Sequence, residues 1–319
     1  MITSLDPSAE LFLADVARIQ QRLATANRQV SSGKRIASAA DAPDQIGSLL
    51  QLRAARERNT QIQSNLVLAK ADADSADSAL ASAIKLMDRA LTLASEGTNP
   101  TQTNATRQSL ALEVQSLQEQ MVAYSQTAVQ GRYIFSGDRN DSAAYTFDIT
   151  SANNSVVELT AASATSRIED PAGGAFANSK AAQEIFDTRN NDAVPATADT
   201  PAVPATPAAD NVFRALDNLR RALLSNDTAR ISSAIDPLKQ ASTHLNNMEA
   251  FYGTVQSRIQ SATEYSKSYE VRLLSEISQK EDADITGAAL EVTSATTQLQ
   301  AAFQMRARLP HTSLFDYLG

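Results

Sequence analysis

Apolar residues at Phe12, Val16, Ile19, Leu23, Ala26 and Val30 are separated by alternating steps of four and three, the spacing of a heptad seam. Asp15, Arg18, Gln20, Arg22, Asn27 and Arg28 fill the positions between, so the pattern predicts a helix over 12–30 with one narrow apolar stripe. A helix of this kind is marginal alone in water, and its seam needs a partner. The last part of the chain supplies one. Ile285, Val292, Leu299 and Phe303, with Ala288, Ala295 and Ala302 between them, predict a second heptad-like helix.

Between these two seams the pattern is mostly helical. A polar turn at 31–35 carries Gly33, a residue suited to ending a helix. Asp41, Pro43 and Asp44 read as a helix start, with Asp41 accepting from the unpaired amides of the first turn. From Ile46 a stripe through Leu66, Leu80 and Met87 predicts an unbroken helix to about Ser95, roughly 75 to 80 Å long. Gly97 and Pro100 stop it. A third helix from about Thr103, with Leu110, Val114, Leu117 and Met121 in its stripe, should fold back as an antiparallel hairpin.

At Gly131 the period changes to alternation. Strands are expected at 145–149 and 156–159 with a turn at Asn153 and Asn154, a third strand at 165–168, and a short helix at 181–186. Residues 190–210 repeat the tetrapeptide VPAT and hold four of the ten prolines, the signature of an extended or disordered linker. Helical signals return with Asp210 as N-cap, break at Asn226 and Asp227, and resume at Asp236 and Pro237 for a long helix through Leu245, Tyr252 and Ile259 to Ile277.

The expected fold is mainly α: an elongated antiparallel helical bundle with paired N- and C-terminal coiled-coil helices and a small inserted β-containing domain. The expected divisions are 1–40 with 282–319 as a terminal coiled-coil domain, 41–138 with 211–281 as a helical rod, 139–190 as the insert, and 191–210 as the linker. Composition agrees. Aromatic residues make up 5% and Trp is absent, so the core must be built from Ala, Leu, Ile and Val, which suits long packed helices.

Charge and chemistry narrow the function classes. A net charge of -8 without any basic run argues against nucleic acid and anionic membranes as partners. The absence of cysteine removes disulfides, thiolate metal sites and Cys nucleophiles. The first residues lack a basic region followed by an apolar run, so no cleaved signal peptide is expected. No apolar run reaches the roughly 20 residues needed to span a bilayer.

His244 and His311 fit no metal-ligand spacing. The pairs Asp41/Asp44 and Asp282/Asp284 fall at helix starts, where capping explains them better than acid–base catalysis. The glycines at 131 and 137 lack the Lys-Ser/Thr of a phosphate loop, and no nucleophile elbow is present. No catalytic residue, cofactor or metal is assigned, and an enzyme is not expected. The excess of seams points instead to an assembly interface made of Phe12, Val16, Ile19, Leu23 and Val30 with Ile285, Val292, Leu299 and Phe303, joined by Leu314, Phe315, Tyr317 and Leu318 of the tail.

The sequence QVSSGKRI at 29–36, followed by DAPD at 41–44, resembles the N-terminal region shared by bacterial flagellins and their relatives. Gly131, Arg132, Tyr133, Ile134, Phe135, Ser136 and Gly137 are similar to the stretch that sets the hook-associated members of that family apart from filament flagellins. The ending at 313–318 is similar to those members too. The resemblance covers 10–137 and 211–319, whereas the opening MITSLDPSAE departs from it. It implies a structural subunit of the bacterial flagellum at the junction between hook and filament, exported by the flagellar type III apparatus without a cleaved signal peptide. Such a subunit assembles as a ring of copies, a homo-oligomer. Its implied partners are another hook-associated protein, flagellin and a cytoplasmic export chaperone, with no nucleic acid and no membrane insertion. The alternatives are a filament flagellin subunit and, from another class, a cytoplasmic signalling coiled coil.

Overall fold

The computed structural model of the chain describes residues 7–38, 40–151, 154–191 and 206–308. Most of the Pro-rich linker, His311 and the tail residues Leu314, Phe315, Tyr317 and Leu318 lie outside the described residues. The helices are α1 (Pro7–Ser32), α2 (Pro43–Thr98), α3 (Asn104–Ser125), α4 (Ala182–Phe186), α5 (Val212–Leu224), α6 (Thr228–Glu281) and α7 (Ile285–Arg308). The strands are β1 (Ala128–Val129), β2 (Arg132–Tyr133), β3 (Tyr145–Phe147), β4 (Val156–Glu158), β5 (Arg167–Glu169), β6 (Ala175–Ala177), β7 (Arg189–Asn191) and β8 (Thr206–Pro207). Two compact units result, Met1–Asn59 with Ser268–Gly319 and Thr60–Lys267, and the long helices α2 and α6 contribute to both.

In the unit Thr60–Lys267, one continuous core joins Leu80 and Met87 of α2, Val114 and Met121 of α3, Leu216 and Leu219 of α5, and Leu238 and Leu245 of α6. The stripe of α3 and the stripes of α2 from Ile62 and of α6 up to Ala262 face this core, whereas Ile46 and Ile277 pack on a separate small one. The Thr103 hydroxyl accepts from the Thr106 amide at 3.2 Å and starts α3. Buried Arg107 ties the connections together: Nε donates to the Gly97 carbonyl at 2.9 Å, one terminal nitrogen to the Asn99 carbonyl at 3.0 Å, and the other to Asn226 Oδ1 at 2.5 Å. A cation over the last carbonyls of α2 also complements the negative end of that helix.

Three helix starts differ from the expectation. Asp41 does not cap α2. Its Oδ2 reaches back to accept from the amides of Ala37 (3.0 Å) and Ser38 (2.7 Å), which closes the turn before the helix. Helix α5 is capped by Asn211, whose Oδ1 accepts from the Arg214 amide at 2.9 Å, one residue beyond the Asp210 expected there. Helix α6 starts at Thr228, where Asp227 Oδ1 accepts from the amides of Ala229 and Arg230, and it runs through Pro237. Proline inside a helix costs about 3 kcal/mol, but here Ala234, Leu238 and Ala241 around it are all buried in the core, and their packing outweighs the lost hydrogen bond.

The described strands of the insert pair two by two. Among the described residues, β1–β2, β3–β4, β5–β6 and β7–β8 form four separate antiparallel ladders. The strand expected at 165–168 lies at Arg167–Glu169 and pairs with Ala175–Ala177. What unites the insert with the helices is a line of rings: Tyr145 to Phe213 (5.3 Å), Phe213 to Phe186 (6.0 Å), Phe186 to Phe135 (5.7 Å) and Phe135 to Tyr252 (6.3 Å).

Buried polar groups anchor the same region. Asp187 accepts from the Tyr145 hydroxyl at 3.1 Å and from Asn211 at 2.8 Å, and it pairs with Arg189, which also reaches Glu158 at 2.6 Å. Burial and the neighbouring Asp187 carboxylate push the Tyr145 hydroxyl well above its ordinary value, so it stays a donor. On α5, Asp217 accepts from Ser155 (2.8 Å), Arg220 (2.7 Å) and Arg221 (2.5 Å), pinning the β3–β4 hairpin to the helix.

Gln130 (φ 52°) and Gly131 (φ 79°) form the two-residue turn of β1–β2, a turn with both central residues in the left-handed region. Phe135 then enters the core fully buried, while Tyr133 is half-buried. Gly137 has φ 58°, and a Cβ there would lie 2.4 Å from the Ala164 carbonyl oxygen. Both strain and a backbone clash therefore oppose Gly137→Ala. The variant is expected to lose about 2–3 kcal/mol of stability, read as an earlier midpoint in urea unfolding. A midpoint equal to that of wild type would show that the backbone at 164 can yield.

Candidate assembly surface

In the unit formed by Met1–Asn59 and Ser268–Gly319, α1 packs along α7. Val16 and Ala26 of α1 are buried, and Phe12, Ile19 and Leu23 are half-buried beside them. On α7 the closest packing belongs to Ala288 and Ala295, with Val292, Leu299 and Ala302 half-buried. Alanine at every seventh position lets the two backbones approach, so residues that read as filler in the sequence form the tightest part of the seam. Phe12 and Phe303 meet edge-on at 6.3 Å, the Arg306 guanidinium lies 5.6 Å from the Phe12 ring, and Arg22 pairs with Glu291 at 2.6 Å.

The structure thus brings Phe12, Val16, Ile19 and Leu23 together with Val292, Leu299 and Phe303. It leaves Val30 41%, Ile285 45% and Phe303 50% exposed. Leu11, Leu13, Leu290 and Met305 lie off the seam and are 69%, 55%, 68% and 72% exposed. Beside the Phe12–Phe303 contact, an open groove of about 600 Å³ is lined by Leu11, Val16, Ile19 and Met305 and edged by Arg18, Arg22 and Arg306. The seam spacing conceals these residues. The signal that marks them is that they are large apolar residues standing off the stripe.

The two breaks that join this pair to its neighbours interlock. The Glu281 carbonyl accepts from the amides of Arg35 (2.7 Å) and Ile36 (3.3 Å), and the Gly33 carbonyl accepts from the Ala283 amide at 2.9 Å. Asp284 Oδ1 accepts from the Gly287 amide at 3.1 Å and caps α7, so the pair Asp282/Asp284 lies at a helix start. Ile36, Ala42 and Leu49 form a small core with Ile46 and Ile277.

Among the described residues no group of three His, Asp or Glu could hold a metal ion, and no helix is long and apolar enough to cross a membrane. His244 is half-buried between the Glu184 carbonyl (2.9 Å from Nε2) and Asp210 (3.4 Å from Nδ1), where it ties α6 to the insert. The chemistry available to the terminal pair is that of apolar association edged by guanidinium groups.

The first and last helices pair, the middle of the chain carries an insert, and the terminal pair keeps an open apolar face, which defines a helical protein with a small β-containing insert. Residues 8–140 match the N-terminal helical region of bacterial flagellin, and residues 210–318 match its C-terminal helical region, together about three quarters of the sequence. The chain belongs to the bacterial flagellin family, a family of components of the bacterial flagellum.

Among solved structures it is similar to a flagellar hook-associated protein of Vibrio parahaemolyticus, with a TM-score of 0.60 and 17% identity over 76% of this chain and 100% of that one. It is also similar to hook-associated protein 3 of Legionella pneumophila, with a TM-score of 0.59 and 12% identity over 72% of this chain and 98% of that one. FlgL of Xanthomonas campestris gives a TM-score of 0.56 and 18% identity over 72% and 99%. At these identities the likeness is one of fold. No curated protein sequence is similar enough to count as a relative. The family match sets aside the signalling coiled coil.

Proposed function

We propose that the chain is a non-catalytic structural subunit of the junction between flagellar hook and filament. The observation that carries this reading is the open apolar face of the α1/α7 pair, where Leu11, Leu13, Leu290 and Met305 are exposed on helices already paired through their seam. A neighbouring copy that covers this face makes a ring of copies and leaves no large apolar patch in water. The tail residues Leu314, Phe315, Tyr317 and Leu318 add to that interface in the same reading.

The partners proposed are another hook-associated protein on the hook side, flagellin on the filament side, and a cytoplasmic chaperone before export. The place is extracellular, reached without a cleaved signal peptide. The fold shared with hook-associated proteins and the stretch from Gly131 to Gly137 support the junction over the filament. A strain lacking the protein is expected to keep its hooks, lose motility and shed flagellin as monomer into the medium. Purified chain that polymerised alone into long filaments would favour the filament flagellin reading instead.

A further inference from the structure

His244 projects from α6 towards the insert, and only 14% of its side chain is exposed. Both ring nitrogens meet oxygen. Nε2 lies 2.9 Å from the Glu184 carbonyl of α4, and Nδ1 lies 3.4 Å from Asp210 Oδ2, just before α5. A carbonyl and a carboxylate can only accept. A neutral imidazole has one N–H and one lone pair, so it serves one of these neighbours and turns a lone pair on the other. The imidazolium donates to both.

The two acceptors belong to the place where the chain leaves the insert and enters α5. Asp210 Oδ1 accepts from the Thr188 hydroxyl at 2.7 Å, and the Thr188 carbonyl accepts from the Ala208 amide at 2.8 Å, beside the β7–β8 ladder. His244 thus fastens α4 and the segment 206–211 to the same turn of α6. The other charges of the elements around it are engaged elsewhere. The Glu184 carboxylate turns to the Lys180 ammonium at 2.5 Å, Arg189 of β7 to Asp187 and Glu158, and Arg214 of α5 to the Pro207 carbonyl. On α6 itself Lys239 and Glu249 stand five residues to either side, on other faces of the helix. Asp210 is the charge that meets the ring.

We propose that His244 is a pH-sensitive clasp which, when protonated, holds α4 and residues 206–211 against α6 and, when neutral, lets go of one of them. The proton favours the fastened state, so the clasp is complete in mild acid and is lost as pH rises through neutrality. Its effect is local. The line of rings from Tyr145 to Tyr252 contains no group that titrates near neutrality and keeps the insert as a whole in place. The clasp lies wholly within the unit Thr60–Lys267 and does not depend on the junction reading.

The test is hydrogen exchange on the purified full-length chain at about pH 6 and about pH 8, on either side of the ordinary histidine titration. Protection is taken relative to unstructured peptides at each pH, so that the intrinsic pH dependence of exchange cancels. In wild type, amides of 182–186 and 208–215 are expected to lose about fivefold in protection between the two, the scale of a partly exposed ion pair, while those of 80–93 keep theirs. In His244→Gln that loss should vanish, with both values at the wild-type level of the higher pH. Asp210→Asn should shrink it, because the ring then meets no charge.

Wild-type protection that is the same at both pH values would overturn the proposal. So would a loss that survives in His244→Gln, since another group would then be titrating. A variant that weakens protection equally at both pH values and keeps the wild-type slope would mark His244 as a packing residue and overturn it as well. Loss of protection at 80–93 together with the insert would do the same, by showing that the whole unit responds.

Discussion

An Ala295→Glu chain is expected to fold its Thr60–Lys267 unit and yet fail to restore motility to a strain lacking the protein. Ala295 is fully buried where α7 meets α1, and Arg22, which reaches Glu291 and Gln298 on either side of it, is already paired with Glu291. Burying an unpaired carboxylate costs several kcal/mol. The helices it would separate have 26 and 24 residues, and helices of that length and polarity gain little stability alone. The charge should win, and far-UV circular dichroism should fall by the helicity of α1 and α7 while the remainder unfolds cooperatively in urea. Wild-type motility with this variant would mean that pairing of the terminal helices is not needed for assembly.

The second large effect is expected in the other unit. Asp217→Ala strips the partner from buried Arg220 and from the Ser155 hydroxyl, leaving a guanidinium in the core without its counter-charge. Removing one member of a buried pair costs about 3–5 kcal/mol, a large fraction of the stability of a typical domain. The urea midpoint should shift accordingly, and Asp217→Asn should fall between, since its amide oxygen still accepts from Ser155.

Burial opposes the Asp217 charge, but the hydrogen bonds from Arg220, Ser155 and Arg221 outweigh it and hold the carboxyl below the usual aspartate range. A carboxyl depressed in the folded state contributes its full stabilisation above the unfolded value and loses it as pH falls through the folded value. The wild type should therefore weaken in acid more steeply than Asp217→Ala. Equal midpoints for the two proteins at neutral pH would show that the network adds nothing.

Much of the helical plan was legible because a helix that buries one face must repeat its apolar residues, and the stripes at 12–30, in α3 and in α6 do so. The departures lie where one local signal stands alone. Asp236 and Pro237 look like a helix start, but a proline is tolerated inside a helix when the neighbouring turns are buried, and burial is not written at one position. Asp41 and Asp210 have the chemistry of caps, and which amides they meet depends on a turn that only the folded chain defines. The strands of the insert are two or three residues long, too short for alternation to reveal their partners.

The proposed assembly surface was half legible. Its seam followed from spacing, whereas its open face consists of residues such as Leu11 and Met305 that break the pattern. Glu281 gave no sign at all. A glutamate at the end of a polar helix is ordinarily solvated, and its burial follows from Lys34, Arg53 and the turn at 33–36 arriving from more than two hundred residues away in sequence.

The pairing of α1 with α7 also has a consequence in time. Arg22 and Glu291 are separated by 269 residues, so their contact closes nearly the whole chain into a loop. Contacts that close long loops must wait until the entropy of the intervening chain has been spent, whereas the α2–α3 hairpin can form from its own neighbours. The terminal pair is accordingly the last part of the fold to form. A chain still incomplete has no α1/α7 face to offer. The topology delays stickiness until the chain is whole.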